Sequence, residues 1–274
     1  MTEVPITPQE LQSRRITDEH LATALRAMRE DGFVILGDVA DMRHIAAIRD
    51  RMREDLGTLM ARTGKCEGNG MQTPPLHKDF IFRDILLNDM VSAVLLELLG
   101  PNAYVGMYES NTNLPGSKGQ PVHADLGQLW PNMTTAHPVH SIAVNFPLVD
   151  MDHRNGATEV WPGTHVHTGT WHSAGRFPSD DLIAAQRKVC EPIQIRARAG
   201  SAVLRDMRMW HRGVPNPSSE PRIMISMIYQ CAWMRGGPFK LPKECQDVLK
   251  DGPIKVEAVY VDEPIDYLGL GAAR

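Results

Sequence analysis

The stretch Ser201–Gln230, SAVLRDMRMWHRGVPNPSSEPRIMISMIYQ, holds two β-prone runs joined by a proline-rich turn. SAVLRDM reads as a strand, His211 follows it, and RIMISMIYQ reads as a second strand that opens on Arg222. Side chains of a strand alternate between faces, so Arg222, Met224, Ser226 and Ile228 share one side. A guanidinium on an otherwise apolar strand face is costly to bury unless something pairs with it. The texture is the same upstream. AYVGMYESNTNL, SIAVNFPLVDM, ATEVWP and IQIRA are short β-prone runs, broken by turns such as PGSKG, DHRNG, PGTH and RAG. Short strands in quick succession with Gly/Pro turns predict a sandwich or barrel rather than a parallel sheet.

Before Ala103 the pattern is helical. DEHLATALRAMREDG opens with Asp18 as the predicted N-cap and stops at Gly32, and FVILGDV follows as a strand. In DMRHIAAIRDRMREDLGTLMA, residues Ile45, Ile48, Met52, Leu56 and Leu59 recur at helical spacing and form one apolar face. A second apolar helix, roughly residues 88–99, ends at GPN, and residues 179–190 read as a helical insertion. The expectation is a single domain over 1–274: a helical cover over about 1–100, a β core over about 101–235 and a C-terminal extension at 236–274.

Composition narrows the function classes. A chain of 274 residues with 42% hydrophobic and 23% charged residues has ample material for one large core. A net charge of −4 offers no overall basic field for nucleic acid or an anionic membrane. Cys66, Cys190, Cys231 and Cys245 contain no CxxC pair and fit isolated thiols in a reducing compartment. MTEVPITPQELQSRR lacks a signal-peptide pattern, VSAVLLELLG is too short to span a bilayer, and GLGAAR is not a lipidation or targeting signal. These features predict a cytoplasmic protein with neither a membrane nor a nucleic-acid partner. A homodimer is left open.

The chemistry starts at VHADLGQLW, residues 122–130. His123 and Asp125 lie one residue apart, and at a strand end both side chains point the same way. That spacing alone fits a surface turn equally well. His211 changes the balance, because strands distant in sequence face each other across a barrel. Two histidines and a carboxylate on one face of a metal, with the other face open, suit non-haem Fe(II) oxygenases. Arg222 adds a planar fork that can clamp a carboxylate through two parallel hydrogen bonds.

His123-x-Asp125, His211 and Arg222, together with VNFPLVDMDHRNGATEVWPGTH, resemble the phytanoyl-CoA dioxygenase (PhyH) family of Fe(II)/2-oxoglutarate oxygenases. In that segment Asn155-Gly156 and Pro162-Gly163-Thr164-His165 are similar to the family's middle signature. The resemblance spans roughly residues 20–235 and is weakest before residue 100. It implies a double-stranded β-helix, or jelly-roll, core. It implies Fe(II) held by His123, Asp125 and His211, with 2-oxoglutarate chelating the metal and resting its distal carboxylate on Arg222. Gln120 and Thr158 are placed like side chains that contact 2-oxoglutarate in relatives. The implied reaction consumes O2 and 2-oxoglutarate, releases succinate and CO2, and oxidises a C–H bond. Retention of Asp125 disfavours halogenation, since halogenating relatives carry a small residue there.

His165, His167 and His172 do not make a strong metal signature, and His165 reads as part of its turn. For the substrate, Met71, Gln72, Met107, Trp130 and Trp210 are the candidate pocket residues, with Tyr108, Trp161 and Met207 close by in sequence to the signatures. CEGNGMQTPPLHKDF reads as a lid loop. Lys65, Lys78 and Lys118 are too dispersed to form a CoA-binding cluster, so a small natural-product-like molecule is expected ahead of an acyl-CoA. Two rivals stay open: a jelly roll that binds a metal or small molecule without turnover, and a cupin-like metal enzyme that needs no cosubstrate. The second has no use for Arg222.

Overall fold

The computed structural model describes residues 1–63, 69–70, 72–170 and 176–268. Cys66, Lys65, Met71 and His172 lie outside the described residues. The chain runs β1 (Glu3–Pro5), α1 (Pro8–Ser13), α2 (Asp18–Glu30), β2 (Phe33–Gly37), α3 (Met42–Thr63), β3 (Asn69–Gly70), α4 (Arg83–Leu86) and α5 (Asp89–Leu99). It continues β4 (Tyr104–Asn113), β5 (Ser141–Pro147), β6 (Glu159–Val160), α6 (Asp180–Val189), β7 (Ile193–Gln194), β8 (Ala202–Asp206), β9 (His211–Arg212) and β10 (Arg222–Gln230). β11 (Phe239–Pro242), α7 (Gln246–Leu249), β12 (Lys255–Val256) and β13 (Ala258–Val261) complete it.

The main sheet has the order β1-β2-β8-β5-β10-β4-β12, with β3 paired to β4. It is antiparallel at its centre and takes parallel partners at its edges, β1 on β2 and β12 on β4. A smaller sheet, β7-β6-β9, forms the opposing layer. The predicted jelly roll is therefore present. Among the described residues no ladder joins the two layers into a closed barrel, and they meet by packing. The N-terminal cover is not purely helical, because β1 and β2 belong to the main sheet.

Alternation along the strands divides two cores. Val34, Leu36, Val144, Phe146, Leu204, Ile223, Ile225 and Met227 face the helices, where Ile45, Ile48 and Met52 of α3 and Val94 and Leu95 of α5 meet them. Phe33, Ile35, Val203 and Met224 face the other way and pack with Val160 of the small sheet and Ile195 just past β7. The apolar stripe of α3 thus finds its sheet, the arrangement that gives a marginal isolated helix its stability.

One boundary differs from the sequence reading. α2 is capped by Thr17, not Asp18: Thr17 keeps extended dihedrals and its Oγ1 accepts from the His20 backbone N–H at 3.4 Å. Asp18 falls in the first turn, where its charge complements the helix dipole. Gly32, as expected, ends the helical run with a φ of +84°, and a Cβ there would lie 2.6 Å from His165 Nδ1. No helix of the described residues is long and apolar enough to cross a membrane.

Candidate active site

The inner face of the main sheet becomes polar toward one end. Across β4, β10, β5 and β8 the register sets Glu109, Ser226, Asn145 and Val203 in one row and Met107, Ile228, Ala143 and Arg205 in the next. These residues, together with Arg222, Met224, Met207 and the small-sheet side, line a cavity of about 490 Å³. That size suits a small-molecule site.

Two segments bring the candidate metal-ligating side chains into this cavity. The Gln120 N–H donates to Gly213 O at 2.8 Å, and the Gly213 N–H donates back to Gln120 Oε1 at 2.8 Å. One rung further, His123 and His211 exchange both backbone hydrogen bonds, at 3.0 and 2.8 Å. Residues paired this way project side chains onto the same face, and the two imidazole centroids are 4.4 Å apart. Asp125 follows in a bend, with Oδ1 at 3.5 Å from His211 Nε2 and 3.9 Å from His123 Nε2. Ligand atoms of the three residues all lie within 4.8 Å of one another, the only such cluster among the described residues.

The tautomers suit a metal. His123 Nδ1 lies 2.9 Å from Pro121 O, and His211 Nδ1 lies 3.1 Å from Met209 O. With a proton on each Nδ1, directed at these carbonyls, both Nε2 lone pairs would face Asp125; Arg205 Nη1, which only donates, also lies 3.2 Å from His211 Nδ1. Burial, with the neighbouring His211, pushes the His123 imidazole below its ordinary range and toward the neutral form that ligates. Burial would raise the Asp125 carboxyl, but His211 and the Arg205 guanidinium outweigh it and hold the group well below the usual carboxylate range.

Arg222 closes the other end. It is 1% exposed; Nη1 donates to Asn111 O at 3.2 Å, Nη2 donates to Gly156 O at 3.4 Å, and Nε has no partner. Among the described residues no carboxylate pairs with it. Burial brings it down to about 10, which leaves it charged at neutral pH. A buried cation with an orphaned N–H, at the end of a cavity that holds a metal-type triad, fits an anionic ligand. The donor set thus fits both an iron ion and a carboxylate cosubstrate.

The middle signature explains itself here. The Gly156 carbonyl receives both Asn113 Nδ2 and Arg222 Nη2. Thr164 Oγ1 accepts from the Trp210 backbone N–H at 2.9 Å and donates to Trp161 O at 2.7 Å, pinning the residue before His211. His165 Nε2 contacts Arg29 O at 3.1 Å, and His167 Nδ1 accepts from Gly169 N at 2.9 Å, so both serve local structure.

Of the remaining candidates, Gln120, Thr158, Met107 and Met207 line the cavity. Gln120 spends its side-chain oxygen on Gly213. Gln72, Trp130 and Trp210 do not line it. Gln72 is buried in the wall, donating to Met52 O at 2.9 Å and accepting from Thr112 Oγ1 at 3.1 Å. Trp210 is fully buried against Trp161 and Ala124 behind the ligand loop, and Trp130 is 59% exposed beside His137. Tyr108 belongs to the helix-side core. Residues 72–76 of the predicted lid are packed and buried. Sequence reasoning passed over Glu109, Asn111, Asn145, Arg176 and Arg205, all on the cavity wall. Arg205 carries the signal that singles out Arg222, a charge inside an apolar strand.

Fold and site together define a jelly-roll protein with a two-histidine, one-carboxylate group that could hold a metal ion. The comparisons place it more narrowly: the family model for phytanoyl-CoA dioxygenase (PhyH) matches residues 28–224, and the chain belongs to that family. It is 29% identical over 175 residues to Dioxygenase af480 of Aspergillus fumigatus, covering 62% of this chain and 52% of that protein. The chain thus spans about half the length of that curated relative. Among solved structures it is similar to SnoK, a non-haem α-ketoglutarate-dependent carbocyclase from nogalamycin biosynthesis. The TM-score is 0.57 with 20% identity, over 79% of this chain and 85% of that one. It is also similar to the epimerase SnoN of the same biosynthesis, with a TM-score of 0.59 and 19% identity, again over 79% of this chain and 85% of that one.

Proposed function

We propose that the protein is an Fe(II)/2-oxoglutarate-dependent oxygenase that oxidises a C–H bond of a small, natural-product-like molecule. The observation that carries this reading is the sharing of one cavity by three convergent ligand atoms and a buried, carboxylate-free Arg222. His123, Asp125 and His211 would hold the iron, and Arg222 would take the distal carboxylate of 2-oxoglutarate. When bound, these groups supply dioxygen activation, with succinate and CO2 as coproducts and an oxidised substrate carbon.

The chain's own residues do the rest. The Pro121 carbonyl holds the Nδ1 side of His123, and the Met209 carbonyl is in place to take the Nδ1 proton of a ligating His211. Thr158 and Gln120 border the cavity, and Met107, Met207 and Ile228 give it an apolar patch. The polar row of Glu109, Ser226 and Asn145 favours a substrate that carries hydroxyl or amide groups over a purely aliphatic one. The natural-product chemistry of SnoK and SnoN supports this substrate class ahead of acyl-CoA esters.

The test is formation of succinate from 2-oxoglutarate by the Fe(II)-loaded protein in air, with and without a panel of oxygenated polycyclic and terpenoid compounds. The reading expects succinate release that one panel member stimulates, with a product gaining one oxygen or losing two hydrogens. No 2-oxoglutarate turnover by folded, iron-loaded protein under any of these conditions would favour a binding protein instead.

A further inference from the structure

Arg205 stands on the inner face of β8, 7% exposed, in direct contact with the triad. Its Nη2 donates to Asp125 Oδ2 at 2.5 Å, and its Nη1 lies 3.2 Å from His211 Nδ1. A guanidinium only donates and an imidazole carries no negative charge, so Asp125 is the anionic partner of Arg205. The two carboxylate oxygens are therefore divided: Oδ2 is held by Arg205, and Oδ1 is the atom that faces both Nε2 atoms.

That division has a consequence for coordination. A carboxylate with both oxygens free binds a cation through one or both of them. On an ion that must keep positions open for a chelating cosubstrate and dioxygen, a second carboxylate oxygen takes one of those positions. We propose that Arg205 is a positioning residue that keeps Asp125 a one-oxygen ligand and so preserves the open face of the centre, an inference that rests on the facial-triad reading above.

The backbone around Asp125 is held independently of Arg205. Ala124 N–H donates to Arg176 O at 2.8 Å, and Leu126 N–H donates to Met207 O at 2.9 Å. Loss of the guanidinium thus frees the carboxylate to rotate without releasing its loop. A buried guanidinium between two strand neighbours is a poor choice for stability alone, because pairs of this kind seldom outperform apolar residues of the same volume.

Arg205→Met and Arg205→Leu remove the donor, and both are made so that a folded donor-free variant is in hand. Arg205→Gln keeps an N–H for Oδ2 without the charge. Metal-free proteins are titrated anaerobically with Mn(II), read by the electron paramagnetic resonance signal of the free ion. The Mn(II)-loaded proteins are then titrated calorimetrically with 2-oxoglutarate. The expected result is that the donor-free variants bind Mn(II) at least as well as wild type yet lose 2-oxoglutarate affinity by about tenfold or more. The Gln variant should recover most of that loss. Donor-free variants that bind 2-oxoglutarate like wild type overturn the proposal, as does a Gln variant as impaired as they are. A wild type that binds neither Mn(II) nor 2-oxoglutarate overturns the underlying reading and this proposal with it. Donor-free variants that fail to take up Mn(II) while wild type binds it overturn the proposal alone.

Discussion

The guanidinium of Arg222 is the residue whose energetics depend most on what the cavity receives. Its two terminal nitrogens reach only backbone carbonyls, of Asn111 and Gly156, and its Nε is unpaired. Arg222→Ala should weaken 2-oxoglutarate by at least about 2 kcal/mol, roughly 30-fold in Kd, while metal uptake persists. Arg222→Lys should not restore it fully, because an ammonium lacks the planar fork. Titration calorimetry on the metal-loaded variants checks both outcomes. Gly156 is coupled to the same fork. Its φ is +73°, and a Cβ would lie 2.5 Å from Asn113 Nδ2 and 3.0 Å from Pro215 O. Gly156→Ala should cost about 1–3 kcal/mol in an unfolding titration and also lower 2-oxoglutarate affinity. A variant neutral in both measurements would contradict the cradle assigned to this turn. Arg222 was legible in the sequence because it opens an apolar strand shortly after His211, whereas Arg205, also a charge in an apolar strand, had no such context. Trp210 and Gln72 were not, because sequence proximity to a ligand does not say on which side of the wall a side chain falls. That depends on cross-strand register and on the packing of neighbouring segments, which local patterning leaves open.

At the scale of elements, the segment from Asn155 to His165 clamps both halves of the centre, with the Gly156 carbonyl on Arg222 and the Thr164 hydroxyl on the backbone of Trp210. Its motif was readable, but its physical role emerged only from the contacts. The runs ATEVWP and IQIRA marked the places of β6 and β7, whereas β9, two residues long, is too short to announce itself by alternation. β11 to β13 of the C-terminal extension were likewise not anticipated. The helical cover has its own polar anchor. Glu10 is buried and accepts from the backbone N–H and hydroxyl of both Thr7 and Thr17, at 2.8 to 2.9 Å, joining the starts of α1 and α2. Burial would raise its carboxyl, but these hydrogen bonds outweigh it and lower it from 4.5 to about 2. The folded value is depressed, so its contribution is fully present above pH 4.5 and is lost as pH falls through about 2. Glu10→Gln should therefore destabilise by up to about 3 kcal/mol at neutral pH. The gap from wild type should close as the pH of the unfolding experiment is taken from 5 toward about 2. A gap independent of pH would show that the anchor does not act through its charge.

For the whole molecule, the packing of a helix-backed main sheet against a three-stranded layer leaves one end of the intersheet space polar and open enough for ligands. Strand texture pointed to a sandwich or barrel, and the resemblance carried by the ordered His-x-Asp, His and Arg pattern implied the jelly roll and the candidate metal ligands. The openness of the roll and the polar row on the cavity wall were not readable, because they arise from register across four strands. Anaerobic absorption spectroscopy of the Fe(II) protein with 2-oxoglutarate tests the central claim most directly. A visible charge-transfer band of the chelate should appear in wild type and be absent from His211→Ala and Asp125→Ala at the same iron concentration. Folded wild-type protein that gives no such band, or variants that give it unchanged, would contradict the assignment of His123, Asp125 and His211 as the iron site.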